Sequence, residues 1–220
     1  MWCETDGGPP LGIHLGMAGR VIVDGASAGD PVPPAEQAAL GRAVAVDADR
    51  AAREALWARF ALDFDDGGRL VLFDKRRLGR VVLDPDIDHL GPDILEVTAA
   101  EFRARVGRGT APLKARLMDQ GTLAGIGNLL ADEILWQAGQ PPLRPAGDLD
   151  TGELDALRRT VRATTRRAIR SGGVHTGAVI PHRRPGATCP RCGAEMVRAK
   201  VGGRTTWWCS REQDWSPSPV

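Results

Sequence analysis

Three cysteines near the C-terminus, Cys189, Cys192 and Cys209, carry the plainest chemistry in this 220-residue chain. The spacing Cys189-Pro190-Arg191-Cys192, with Cys209 following a stretch long enough for a hairpin, is that of a zinc-binding finger. Ala194 to Lys200 and Arg204 to Trp208 read as the two strands of that hairpin. Three clustered thiols out of four cysteines fit metal binding better than disulfides. A closed structural zinc site takes four ligands, so these three need a partner. The competing reading is a metal-free hairpin packed on Trp207, Trp208 and Trp215.

A second constellation, Gly125-Ile126-Gly127-Asn128, lies between two helical runs, one ending near Asp119 and the next carrying Leu129, Leu130, Ile134 and Leu135 on its apolar side. Glycine admits backbone conformations closed to other residues, and Asn128 is suited to cap the new helix with its side-chain oxygen. Such a helix start presents free N–H groups and a positive dipole end to an anion, or else serves only as a turn within a helical core. Net charge is only +1, yet no Asp or Glu occurs from Ala156 to Ala194. That span holds Arg158, Arg159, Arg162, Arg166, Arg167, Arg170, Arg183, Arg184 and Arg191. It is either an attractor for a polyanion or a solvated face of an arginine-rich protein, since Lys75, Lys114 and Lys200 are the only lysines.

The elements that must position these groups divide the chain. Leu11 to Leu15, Val21 to Val23, Arg59 to Phe64, Leu70 to Phe73 and Val81 to Leu83 read as strands, with Phe60, Leu62 and Phe64 on one face and Pro9-Pro10 in a turn before the first of them. Residues 26 to 34 read as a loop. Thr98 and Glu101 form a capping box, Pro112 suits a first helical turn, and Asp150 with Glu153 opens a long helix that Gly172-Gly173 ends. Val174 to Thr188 reads as a linker. His14 beside an apolar strand reads as structural, without a catalytic role. No apolar run approaches the length of a membrane span, which predicts a soluble, cytoplasmic protein.

The stretch from Lys114 to Pro142, above all Asp119-Gln120, Ala124 to Asn128 and Ala131-Asp132-Glu133, resembles the helix-two-turn-helix element of the formamidopyrimidine-DNA glycosylase and endonuclease VIII family. His14 to Arg20, Leu90-Gly91-Pro92-Asp93 and the cysteine finger follow the family's order. The resemblance implies an α+β fold with three parts: a partial, truncated N-terminal β-sandwich domain over 1–92, a helix-two-turn-helix DNA-binding α domain over 93–184, and a zinc-finger-like β-hairpin over 185–220. It implies a base-excision-repair enzyme that removes oxidised bases and nicks the abasic strand by β-elimination. Its partner is double-stranded DNA with a damaged base or abasic site, and the protein acts as a monomer.

Residue by residue, the resemblance places Lys114, Asn128 and Arg204 on the DNA backbone near the lesion. Met17, Arg76 and Leu78 fill the gap left by a flipped base, with Leu78 standing where the family usually has phenylalanine. In the finger, Glu212 stands where the family has its fourth cysteine. Zinc is then held by Cys189, Cys192, Cys209 and Glu212, with His182 as a less favoured fourth ligand. The short 174–188 interval leans towards oxidised pyrimidines, or towards no lesion preference. The family's catalytic proline and its following glutamate have no counterpart, because the chain opens Met1-Trp2-Cys3-Glu4. No catalytic residue is identified, and neither Met1 nor Glu4 is given the role. Two expectations follow: an enzyme whose start lies upstream, or a non-catalytic protein that binds damaged or abasic DNA.

Overall fold

The computed structural model describes residues 2–16, 19–24 and 56–215. The chain forms two compact units that divide between Asp86 and Ile87. In the first, β1 (Trp2–Thr5), β2 (Gly8–His14) and β6 (Arg80–Leu83) make one antiparallel sheet in the order β1-β2-β6. A second sheet, ordered β3-β5-β4, joins β3 (Arg20–Asp24), β5 (Arg69–Phe73) and β4 (Ala58–Asp63). Ile13 from the first sheet and Leu70 and Leu72 from the second are buried together, against Leu11, Val21, Phe60, Leu62 and Val81. Two sheets sharing one apolar layer are a small β-sandwich.

Two expectations shift here. Pro9 and Pro10 lie within β2 rather than in a turn before it, because Asp6 and Gly7 make the turn, with Gly7 at φ +71°. Both prolines sit near the strand's start and contribute carbonyls, Pro9 to the Thr5 hydroxyl and Pro10 to the Asp84 N–H. β4 ends at Asp63, so Phe64 leaves the apolar face and closes a turn on Gly67 and Gly68. The 26–34 loop and Met17 lie outside the described residues.

The second unit is helical, with a hairpin packed on it. Its helices are α1 (Ala99–Val106), α2 (Leu113–Met118), α3 (Asn128–Ala138) and α4 (Thr151–Arg170). Phe102, Val106, Leu113, Leu117, Leu123, Ile134, Leu157 and Val161 form its core. Thr98–Glu101 and Asp150–Glu153 are both complete capping boxes. The hairpin pairs β7 (Met196–Val201) with β8 (Arg204–Cys209) through a two-residue turn, Gly202-Gly203, at φ +56° and +74°. Positive φ at both positions gives the turn whose twist matches the strands.

Val174 to Thr188 is no open linker. It forms two short 3-10 turns, Val174–Thr176 and Ile180–His182, and buries Val179 between them. The Val179 N–H donates to Glu133 Oε2 at 2.9 Å, so a carboxylate on α3 fixes the segment. No helix among the described residues is long and apolar enough to cross a membrane.

Candidate nucleic-acid interface and metal centre

One buried lysine joins Asn128, at the end of the glycine turn, to the start of β8. Lys114, on α2, has no exposed surface and ion-pairs with Asp132 Oδ1 at 2.7 Å. Its ammonium also donates to Asn128 Oδ1 at 2.7 Å, Thr206 Oγ1 at 2.8 Å and the Thr205 carbonyl at 3.3 Å. Burial pulls its pKa below the ordinary lysine value, with the adjacent Asp132 opposing and Arg183 adding to the fall. Arg183 completes the cluster: its Nε meets Asp132 Oδ2 at 2.8 Å, and the Trp207 N–H donates to the same oxygen. Asp132 thus binds α2, the 174–188 segment and β8 to α3 at a single point.

The arrangement orients Asn128. An ammonium can only donate, so the amide oxygen must face Lys114, which turns Nδ2 away from it. Nδ2 has no partner among the described residues. Asn128 does not cap α3 as its sequence position suggests: the N-cap is Gly127, which offers no side chain, and Asn128 is the first helical residue. The first-turn N–H groups of α3 therefore lack a side-chain acceptor. Gln120 shapes the turn before it, accepting from the Gly125 N–H and donating to the Ile126 carbonyl, both at 3.0 Å. Gly125 sits at φ +103°, where a side chain would be strained.

Arg204 begins β8, one residue before the Thr205 carbonyl that Lys114 and Arg183 both grip. It is exposed, and its guanidinium makes no hydrogen bond, ion pair or ring contact with any described residue. At the hairpin turn, a Cβ on Gly202 would stand 3.0 Å from Ala115 of α2, so the hairpin tip rests directly on that helix. Of the three residues expected on DNA, Asn128 and Arg204 present free donors, while Lys114 is the interior strut between them. The sequence reading noted Asp132, Glu133 and Arg183 but gave them no role in the site. An acid pair in an apolar helical run followed some fifty residues later by an arginine in an acid-free span was the available signal.

In the first unit, the loop after β5 carries Arg76 and Leu78, both exposed, Leu78 at 44%. Buried Asp74 holds the loop, accepting from the Arg76 N–H at 3.0 Å and the Gly79 N–H at 2.5 Å. The Gly79 N–H first, then those of Arg76, Leu78 and Arg77, hold the Asp74 carboxyl below its usual range against the opposing effect of burial. Gly16, next to Met17 in the chain, has φ +60°, and a Cβ there would stand 2.7 Å from Leu78. The turn after β2 and the loop after β5 therefore touch. His14 accepts from the Gly16 N–H through Nδ1 at 3.1 Å, a structural contact.

The cysteines converge. Ligand atoms of Cys189, Cys192, Cys209 and Glu212 all lie within 4.8 Å of one another, and the Cys192 and Cys209 sulfurs are 3.4 Å apart. A tetrahedral zinc with Zn–S near 2.3 Å separates its sulfurs by roughly 3.8 Å, so this donor set fits a metal ion. His182 is outside the group. Burial opposes ionisation of Cys189, but the Trp136 indole N–H, 3.3 Å from its sulfur, and the Arg191 and Cys192 N–H groups outweigh that and lower its pKa. The Ala194 N–H favours a Cys192 thiolate, but burial and the neighbouring Cys209 and Cys189 sulfurs push it up to about 11. Glu212 is shared with Arg191, whose Nη1 lies 2.8 Å from Oε2 while its guanidinium stacks 4.0 Å over Trp136. Trp136 belongs to α3, and with Trp207, Met196 and Val179 it forms the hairpin's core. The packing differs from the metal-free expectation, since Trp208 and Trp215 remain half-exposed.

A small β-sandwich, a helical unit built on a glycine turn, and a cysteine hairpin seated on its third helix make up the architecture of helix-two-turn-helix proteins with a C-terminal finger. The comparisons are specific. The family model described as the formamidopyrimidine-DNA glycosylase N-terminal domain matches residues 1–81, and that of the glycosylase H2TH domain matches 90–178. The formamidopyrimidine-DNA glycosylase of Chloroflexus aggregans is 35% identical over 93% of this chain and 74% of its own length, and that of Roseiflexus 33% over 93% and 74%. A Lactococcus lactis formamidopyrimidine-DNA glycosylase, solved bound non-covalently to DNA containing an AP site, superposes with TM-score 0.69 at 23% identity, covering 97% of this chain and 77% of that one. This chain belongs to the formamidopyrimidine-DNA glycosylase family.

Proposed function

We propose that this chain is a base-excision-repair DNA glycosylase and abasic-site lyase, engaging double-stranded DNA at an oxidised base or abasic site in the cytoplasm. The observation that carries the reading is the pair of unpartnered donors, Asn128 Nδ2 and the Arg204 guanidinium, held by the same buried Lys114. A phosphate accepts from both kinds of donor, and a planar guanidinium grips it with two bonds. The uncapped first turn of α3 adds N–H groups and a positive dipole end. Arg76, Leu78 and, by the family resemblance, Met17 are the groups to fill the hole left by a base drawn out of the stack. Zinc held by Cys189, Cys192, Cys209 and Glu212 would supply structural closure of the hairpin that presents Arg204. The family's chemistry proceeds through an amine that attacks the sugar C1′ to give an imine, followed by β-elimination. No described residue is assigned that amine.

Borohydride trapping on an abasic-site duplex tests the reading. A covalent protein–DNA adduct with strand cleavage, its attachment point mapped by mass spectrometry, is the expected result. Tight binding to the abasic duplex without adduct would favour a non-catalytic reader of damaged DNA. Equal affinity for damaged and intact duplex would remove the repair reading altogether.

A further inference from the structure

Several arginines of the second unit are committed within it. Arg103 pairs with Asp155, Arg144 with Glu153, Arg183 with Asp132 and Arg191 with Glu212, and Arg158 donates twice to the Val97 carbonyl. Five on α4 are not. The side chains of Arg159, Arg162, Arg166, Arg167 and Arg170 make no hydrogen bond, ion pair or ring contact with any described residue, and all but the half-buried Arg162 are exposed. With about 100° per residue, Arg159, Arg166 and Arg170 fall within roughly 40° of one another, and Arg162 and Arg167 flank them. Leu154, Leu157, Val161, Thr164 and Thr165 bury the opposite side. The arginine face is roughly 16 Å long at 1.5 Å per residue. The one acid on it, Asp155, is already taken by Arg103, and the chain supplies no further Asp or Glu until Glu195.

A solvated helix face gains from alternating signs, whereas like charges one turn apart, as at 162, 166 and 170, oppose the helix. Only the last-turn arginines, Arg167 and Arg170, also complement the helix dipole. The ladder therefore lacks a partner among the described residues, and its geometry suits a regular polyanion. Duplex DNA, with one charge per about 1.7 Å of axis, is that polyanion. The face points away from α3, whose first turn carries Asn128, because α4 packs on α3 and α1 through its other side.

We propose that the outer face of α4 is a second, sequence-independent site for duplex DNA, separate from the Asn128–Arg204 grip, which lets the protein hold one duplex while a second docks. The inference rests on the DNA-binding reading above, but on different residues. Its test is a stopped-flow chase of labelled abasic-site duplex with unlabelled intact duplex. In the native protein the apparent dissociation rate should climb several-fold as competitor rises tenfold, because the competitor docks on α4 before the first duplex leaves. In R159Q/R162Q/R166Q/R170Q the rate should become independent of competitor, with abasic-duplex affinity within about twofold and a thermal unfolding temperature no lower than that of the native protein. That variant should also lose about 3–4 from the salt slope of intact-duplex binding, at roughly 0.9 per phosphate contact.

A competitor-independent rate in the native protein, or an undiminished dependence in the variant, overturns the second site. Acceleration by poly-glutamate but not by duplex overturns it in favour of an acidic protein partner. The N128A/R204A variant separates the two sites. Intact duplex should still bind that variant through α4; if the native protein shows no abasic preference while this binding persists, the repair reading fails and this one stands.

Discussion

Lys114 is the residue on which the site depends, although it touches nothing outside the protein. Its charge is buried against Asp132, and its remaining donors hold Asn128 and the start of β8. Burying two charges is costly, but removing one of them is costlier still, because the other is left without a counter-charge. Lys114→Met is therefore expected to destabilise the protein by about 3–5 kcal/mol in chemical denaturation. It should also weaken DNA binding, since both exposed donors lose their support. Arg204→Ala should behave oppositely, shifting stability by no more than about 0.5 kcal/mol, whereas Asn128→Ala takes an acceptor from the buried Lys114 ammonium and should cost about 1–3 kcal/mol. Each should weaken binding of every duplex sequence roughly tenfold, and Arg204→Ala, which removes a cation, should also lower the salt slope by about 1. An Arg204→Ala protein with native affinity and native salt slope would remove the phosphate-grip assignment.

At the scale of elements, the glycine turn is held by side chains that precede it. Asp119 accepts from the Thr122 hydroxyl at 2.7 Å and the Gly121 N–H at 3.1 Å. The Thr122 bond first, opposed by burial and then helped by the Gly121 N–H, lowers its carboxyl pKa from 3.8. A carboxylate with a depressed folded pKa contributes stability that is fully present above its unfolded value, near 4, and lost as pH falls through the folded value. Thermal unfolding of the native protein and Asp119→Asn should therefore differ at pH 6 and converge as pH falls below the unfolded value and through the folded one. A gap that stays constant with pH would show that the carboxylate's charge plays no part. Gly125→Ala, at φ +103°, should cost about 1–2 kcal/mol on its own. This level was largely legible in the sequence. Both capping boxes, the long helix and the hairpin strands carry local signals, in cap residues and in alternation. What stayed hidden depends on contacts distant in the chain. The oxygen of Asn128 is claimed by Lys114 fourteen residues earlier, so it cannot cap α3, and a segment rich in Gly, Pro and Arg is packed because Glu133 and Asp132 reach it from a helix some fifty residues away.

For the whole molecule, the consequential fact is that the finger has no core of its own. Trp136 of α3 lies between the cysteines and the 174–188 segment, donating to Cys189 and stacked by Arg191. Metal bound by the cysteines would therefore stabilise the helical unit as well as the hairpin, by mass action on the folded state. It would also compete with Arg191 for Glu212, because one carboxylate serves both. A carboxylate is a harder ligand than the thiolate the family pattern has there, so Glu212→Cys should bind zinc more tightly, in competition with a chromophoric chelator, by about tenfold or more. Removing metal from the native protein with a chelator should lower Tm and change Trp fluorescence together, since Trp136 and Trp207 line the same core. DNA affinity should fall alongside, because Arg204 is placed by β8, whose far end is Cys209. If elemental analysis finds about one zinc per chain and its removal leaves Tm, fluorescence and DNA binding unchanged, the metal is not what seats the finger. Packing on Trp136, together with the Lys114–Asp132–Arg183 cluster, would then suffice to hold Arg204 in place.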